Sequence, residues 1–448
     1  MIEQIMEGNM ENDNIEPTGA VNEQTSDQSL TPKKKFSLMV IVPLIFFILV
    51  AGSAAAYYLT SRSVDNDDNL AEPLKGTNTS NISTVNEANN YFAFNLYHEI
   101  QKSESGNLFI SPLSISMALT MTANGASDST LTEMKTVLGL SNISNADINA
   151  QNKKVIDDIN TSSDVKFSIA NSIWLNKSEN ASFLPDFVTS VRNYYDGEAK
   201  EANSKEEIND WVSEKTNDKI NNILSTFESP LYLVNAVYFK GNWESTFGKG
   251  ATKDEDFTLE SGSKKTVKMM SQQDGFNYYG DSKVQLVSLP YSGGNYQMNI
   301  FLPAKGTKVG DYVAGMDSEK YQALVGEAVS QEVLLKMPRF KTEYKNSELV
   351  KTMEDLGMTE AFTDVADFSK MSSDPMKIGS IIHQSFIAVD EDGTEAAAAT
   401  VVGMMDVTGI EAPKKPVEMT IDRPFLYTIE DSSTHNIIFM GVTNDPAE

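Results

Sequence analysis

Side chains that usually carry chemistry are few in this 448-residue chain. It has no cysteine, which excludes a thiol nucleophile, a thiolate metal site and disulfides. The three histidines, His98, His383 and His435, are scattered, so a histidine-rich metal centre is excluded and a histidine-based triad has few options. No G-x-S-x-G elbow, phosphate-binding glycine loop or H-E-x-x-H pair occurs. Acidic residues abound, yet no spacing selects two of them as a general acid and base. Catalysis has no positive support: the chain is expected not to be an enzyme and to use no metal or cofactor. Asp plus Glu number 63 against 36 Lys plus Arg, and the formal net charge of −27 repels nucleic-acid phosphates.

One segment is unusual, GTEAAAATVVGMM at 393–405. Taken alone, it reads as an alanine-rich helical turn. It follows a strand-like run, SFIAVDEDG, and precedes a Gly/Pro/Lys-rich stretch ending at Pro416. A long loop between two strands is uncommon and usually functional. With period two, Thr394, Ala396, Ala398, Thr400, Val402 and Met404 form one row. Glu395, Ala397, Ala399, Val401 and Gly403 form the other. A loop with such small side chains could slip into a tight gap as a strand.

The elements around it divide the chain in four. Residues 1–35 form an acidic, disordered tail ending in Lys33-Lys34-Lys35. Residues 36–59 are 24 uncharged, mostly apolar residues, enough to span a bilayer. Lysines before the span and Asp65, Asp67 and Asp68 after it put the tail in the cytoplasm and the rest outside. The alternative is a signal peptide cleaved after Ala54-Ala55-Ala56, near Ala56, giving a secreted protein. Residues 60–81 read as a flexible linker. Residues 82–448 form the folded domain, with a net charge of −21 once the −6 of residues 1–81 is subtracted from −27.

Within that domain Ala88, Phe92, Leu96 and Ile100 mark one face of a helix over 85–100, and a second helix follows Pro112. A third amphipathic stretch, 208–224, carries Trp211, Ile220 and Leu224 on one side. Strand-like runs fall at 232–239, 284–289, 298–302, 332–337, 381–390, 425–429 and 437–441. Helices early and strands late indicate an α+β fold.

Four stretches then make a resemblance specific. SGNLFISPLSISMAL at 105–119, LVNAVYFKGNW at 233–243, HQSFIAVDEDGTEAAAAT at 383–400 and IDRPFLYTIEDSSTHNIIFMGVTNDP at 421–446 resemble the serpins in order and spacing. The resemblance implies a fold of three β-sheets and about nine helices around an exposed reactive-centre loop. It implies inhibition of serine proteases by a metastable monomer: one loop bond is cut, an acyl-enzyme forms, and the loop inserts into the central sheet. A non-inhibitory serpin acting as a binding or chaperone module is the alternative. The resemblance assigns Glu391, Gly393, Thr394, Glu395, Ala396, Ala397, Ala398, Ala399 and Thr400 to the hinge. It assigns Ser111, Ser114, Asn235 and His383 to a shutter below the opening strands. Trp243 falls at the breach, the insertion point, and otherwise reads as a plain core tryptophan. The family's span from Glu391 puts the scissile bond at Val407-Thr408, a small aliphatic site for elastase-like or subtilisin-like proteases. The loop is longer than usual, so Met404, Met405 and Lys415 are alternatives. Before cleavage Thr394 is expected near solvent.

Full-length protein is expected to fractionate with membranes, and protease added from outside should release the 82–448 domain. A mature soluble form starting near Tyr57 would favour the signal peptide instead.

Overall fold

The computed structural model describes residues 79–162, 165–179, 181–395 and 415–446. The tail 1–35, the span 36–59 and all of the linker up to residue 78 lie outside the described residues. Among the described residues no helix is long and apolar enough to cross a membrane.

Nine α-helices and fifteen strands are present among them, and six of the helices end by Lys215. The helix Val85–Ile100 starts in a reciprocal cap between Thr84 and Glu87. Ser111 caps Pro112–Ala123, whose first turn holds Pro112. Every residue of that second helix is buried. It runs through the core, with apolar residues on all sides, and its buried hydroxyls, Ser114, Ser116, Thr120 and Thr122, are each hydrogen-bonded.

The strands are β1 (Leu108–Ile110), β2 (Val165–Asn176), β3 (Glu198–Ala202), β4 (Leu231–Asn242), β5 (Lys253–Thr258), β6 (Lys264–Gly280), β7 (Val284–Pro290), β8 (Tyr296–Pro303), β9 (Val329–Pro338), β10 (Phe340–Asn346), β11 (Ser380–Val389), β12 (Gly393–Thr394), β13 (Val417–Thr420), β14 (Phe425–Asp431) and β15 (Ile437–Thr443). Nine form a sheet of order β1-β15-β14-β8-β7-β6-β9-β13, with β5 on β6. The long β6 changes neighbours along its length, so two of the three sheets implied by the resemblance share one hydrogen-bonded network.

The other six strands lie in the order β10-β11-β12-β4-β2-β3. Both faces are covered, which explains the near-continuous apolar run of β4. Leu231, Leu233, Val237 and Phe239 face the main core. Tyr232, Val234 and Ala236 join Ile382, Trp174 and Trp211 in a second cluster on the opposite face.

The amphipathic stretch 208–224 is not one helix. The helix is Lys205–Lys215 and stops at Thr216, whose hydroxyl donates to Val212 O at 2.7 Å. Asn217, Asp218 and Asn222 then take positive φ, which an α-helix does not allow. Asn209 Nδ2 donates to Leu224 O at 3.0 Å and accepts from Leu224 N–H at 2.8 Å. Residues 216–224 thus form a strap, and its Ile220, Ile223 and Leu224 still complete the second cluster. The apolar pattern marked burial correctly, while the chain path was set by local polar bonds.

Candidate functional site

The site lies at one end of the six-stranded sheet. From Ser380↔Tyr232 to Phe386↔Tyr238, β11 and β4 are parallel neighbours. Above that they part. The chain leaves β11, turns through 390–393 and returns as β12, antiparallel to both. Gly393 sits opposite Asn242, and Thr394 opposite Gly241 on one side and Val389 on the other. Two residues therefore wedge between strands that are joined directly below.

Local chemistry holds the wedge. Asp390 Oδ1 accepts from Asp392 N–H at 2.9 Å and Gly393 N–H at 3.3 Å, closing the turn. Gly393 has φ +151, and a Cβ there would lie 2.2 Å from Gly241 O. The backbone of β4 approaches too closely for any side chain. Trp243 donates its backbone N–H to Asp392 O and its indole N–H to Asp390 O, both at 3.0 Å. Its ring stacks on Tyr291 at 4.7 Å. Trp243 therefore does more than fill the core: it bonds the turn that precedes the wedge.

Glu391 is buried and takes a bidentate Arg339, at 2.7 Å between Arg339 Nη2 and Glu391 Oε1. Thr252 Oγ1 donates to the same carboxylate. Burial opposes its charge, but the Arg339 and Thr252 donors outweigh burial and hold Glu391 below the usual carboxylate range.

Thr394 departs from its expectation. It has no exposed surface, and its hydroxyl lies 2.8 Å from Tyr291 Oη. Pairing on both sides removes it from solvent. The chain leaves the sheet one residue later, at Glu395, where φ is +51. Glu395 N–H still donates to Ala388 O at 2.8 Å, and its carboxylate meets Lys219 Nζ at 2.7 Å. Ala396, Ala397, Ala398, Ala399, Thr400, Met404, Met405, Val407 and Thr408 lie outside the described residues. Lys415 is described, exposed and ion-paired to Glu418 at 2.8 Å.

Below the wedge Ser111, Ser114, Asn235 and His383 do come together, all with 1% exposure or less. His383 and Asn235 are register partners in the β11–β4 pair. Ser111 N–H donates to His383 Nε2 at 3.2 Å, so the ring proton is on Nδ1 and donates to Asn235 Oδ1. Asn235 Nδ2 donates to Ser114 Oγ and to Asn171 Oδ1. Ser111 Oγ donates to Ile438 O at 2.8 Å. Burial pushes His383 down to about 3, so its ring is neutral at physiological pH.

Sequence reasoning missed Tyr291, Arg339, Asn171 and Lys219. Asn171 had a signal, a polar residue inside an apolar run. The other three sit on distant segments with no local pattern. His98 Nε2 donates to Val313 O at 2.9 Å, and His435 Nδ1 lies 3.0 Å from buried Glu430. Both are satisfied polar residues.

The residues 87–446 match the family described as Serpin (serine protease inhibitor). A serpin-like protein of Methanosarcina acetivorans is 35% identical over 375 residues, 80% of this chain and 87% of that one. The leukocyte elastase inhibitor of Xenopus laevis is 33% identical over 389 residues, 82% of this chain and 100% of that protein. The native-state crystal structure of tengpin, a thermophilic serpin, aligns with a TM-score of 0.74 at 32% identity, covering 85% of this chain and 98% of that one. The chain belongs to the serpin family, described as serine protease inhibitors, and relatives such as the leukocyte elastase inhibitor are protease inhibitors rather than enzymes.

Two outcomes follow. Thr394→Arg would bury an unpaired guanidinium against Tyr291, at a cost of roughly 3–5 kcal/mol. The intact protein should lose about that much in denaturant unfolding, and unchanged stability would return Thr394 to solvent. His383 gives a pH dependence. Unfolded histidine binds a proton near about 6.5, and folded His383 only near about 3. In that window the unfolded state holds more protons, so the stabilisation is complete above the unfolded value and lost as pH falls through the window. The stability advantage of wild type over His383→Gln should shrink between pH ~6.5 and ~3, and a difference independent of pH would contradict the buried neutral ring.

Proposed function

We propose that this chain inhibits serine proteases as a suicide substrate whose cut loop becomes a strand of the six-stranded sheet. The observation that carries the reading is the wedge of Gly393 and Thr394 above a β11–β4 pair that is closed. Extending its register, each further residue replaces one rung. Ala397 would part Phe386 from Tyr238, and Gly403 would part Ser380 from Tyr232, the last rung of the pair. Ala396, Ala398, Thr400 and Val402 would then point to the main core. Thr400 would arrive between Asn235 and His383, where its hydroxyl has polar partners. Ala397, Ala399, Val401 and Gly403 would pass beneath the strap, on the face that Ile220, Ile223 and Leu224 cover.

A strand added to the centre of a sheet gains backbone hydrogen bonds on both sides and buries apolar area. The uncut loop cannot collect that gain, because both of its ends are anchored. Cleavage removes the constraint, and insertion then competes with hydrolysis of the acyl-enzyme. Filling the slot to Gly403 requires a bond beyond it, and Val407-Thr408 meets that requirement, as do Met404 and Met405. Lys415 lies only two residues before β13, ion-paired to Glu418, which leaves a protease little free chain on its far side. Val407 points to proteases with apolar primary pockets, elastase-like or subtilisin-like. We read residues 36–59 as a retained anchor that holds a monomeric inhibitory domain, 82–448, outside the membrane.

The test is to mix the protein with pancreatic elastase and with subtilisin. The expected result is an SDS-resistant complex and a released C-terminal fragment whose mass matches residues 408–448. Cleavage of the loop by both enzymes with no complex would favour a non-inhibitory binding role.

A further inference from the structure

The strap carries one cation whose contacts converge on the place where the sheet would open. Lys219 Nζ reaches the Glu395 carboxylate at 2.7 Å. The same ammonium sits 5.8 Å from the ring centre of Tyr238 and 6.0 Å from that of Phe386, within the range of a cation–π attraction. Tyr238 and Phe386 are partners in the β11–β4 pair, and theirs is its rung nearest the wedge. One ammonium therefore touches both strands at the first rung that has to part, together with the residue at which the chain leaves the sheet.

The strap holds that ammonium in place. Lys219 N–H donates to Thr216 O at 3.1 Å, and Ile220 N–H to Thr216 Oγ1 at 3.1 Å. Ser213 Oγ is within 2.8 Å of Asp218 Oδ1 and 2.6 Å of Asn221 Oδ1. Asn209 fixes the strap to the helix Lys205–Lys215 through Leu224. Lys345 of β10, beyond β11 on the same face of the sheet, donates to Asn222 O at 3.3 Å. The strap is thus fastened on both sides of the β11–β4 pair. Glu395 keeps a left-handed backbone, φ +51, which costs a non-glycine residue free energy and needs support from its surroundings. As an inserted strand residue Glu395 would be extended, and it would have to leave the geometry in which it meets Lys219.

We propose that Lys219 is a positioning residue that bolts the sheet shut: by holding the Glu395 carboxylate over the Tyr238–Phe386 rung, it sets the rate at which β11 and β4 separate. The proposal rests on the insertion reading above and adds to it the contact that has to break first. Lys219 acts on the opening step alone, so its loss speeds entry of a strand without changing the register in which that strand pairs.

The experiment measures uptake of a synthetic peptide with the sequence of residues 394–407 by the intact protein, read as a mobility shift on native gels and a gain in heat resistance. Lys219→Met and Glu395→Gln should each take up the peptide about fivefold faster than wild type, the scale of a partly exposed ion pair. The double variant should be no faster than either single one, because both remove the same contact. Salt should accelerate wild type more than it accelerates either variant, in which only the repulsion between the acidic peptide and the acidic domain is left to screen, and Lys219→Arg should restore slow uptake. A purely structural role for Lys219 would not produce this salt response or this lack of additivity. If Lys219→Met does not fold, Glu395→Gln with its salt response carries the test. Variants that match wild type, or a double variant whose effect is the product of the singles, would overturn the bolt while leaving insertion intact. A wild type that takes up no peptide under any condition would overturn the insertion reading and the bolt with it.

Discussion

Two residues of backbone, Gly393 and Thr394, keep the upper end of one sheet from closing on itself. They hydrogen-bond between β4 and β11, which otherwise pair directly with each other. The surrounding chemistry exists to hold that arrangement. Gly393 is needed because Gly241 and Asn242 of β4 leave no space for a Cβ. Asp390, Trp243 and the Glu391–Arg339 pair fix the turn before it. Tyr291 satisfies the one side-chain hydroxyl that the wedge buries.

Lower in the sheet the same two strands are joined by polar side chains. A buried histidine that accepts from Ser111 and donates to Asn235 has all its hydrogen-bonding capacity in use. A network of this kind stabilises only while every member is satisfied. Separating β11 from β4 breaks the His383–Asn235 bond, and an incoming hydroxyl at the same level could replace it. The cluster can therefore be stable with the sheet closed and with it filled, while any half-open state leaves buried polar groups unpaired. That asymmetry favours an opening that goes to completion.

Much of this was legible in the chain, for physical reasons that differ between elements. The small side chains that follow Gly393 marked the segment as unusual, and of it Gly393 to Glu395 are among the described residues. The core-facing rows of β4 and β11 were readable as apolar runs because both faces of the sheet are covered. Ser111, Ser114, Asn235 and His383 were placed together by resemblance, since no local pattern relates residues on three separate segments. The position of Thr394 was not legible: whether a hinge residue lies just inside or just outside the sheet depends on pairing to strands well over a hundred residues away in one case and five in the other. The stretch 208–224 failed differently. Its apolar spacing fits a helix, but Thr216 and the positive φ of Asn217 and Asp218 end the helix and redirect the chain over the sheet. Short strands such as β1 and β3 carry too few residues to show a period.

The claim at the centre of the account is that the loop beyond Glu395 becomes a paired strand between β4 and β11 once it is cut. Amide hydrogen exchange after cleavage at Val407 measures this residue by residue. The account predicts that the amides of Ala396 to Val402 become as protected as those of β4, in an unbroken run that continues from Thr394. Exchange of that segment at the rate of an unstructured peptide, with the β11–β4 amides unchanged by the cut, would contradict it.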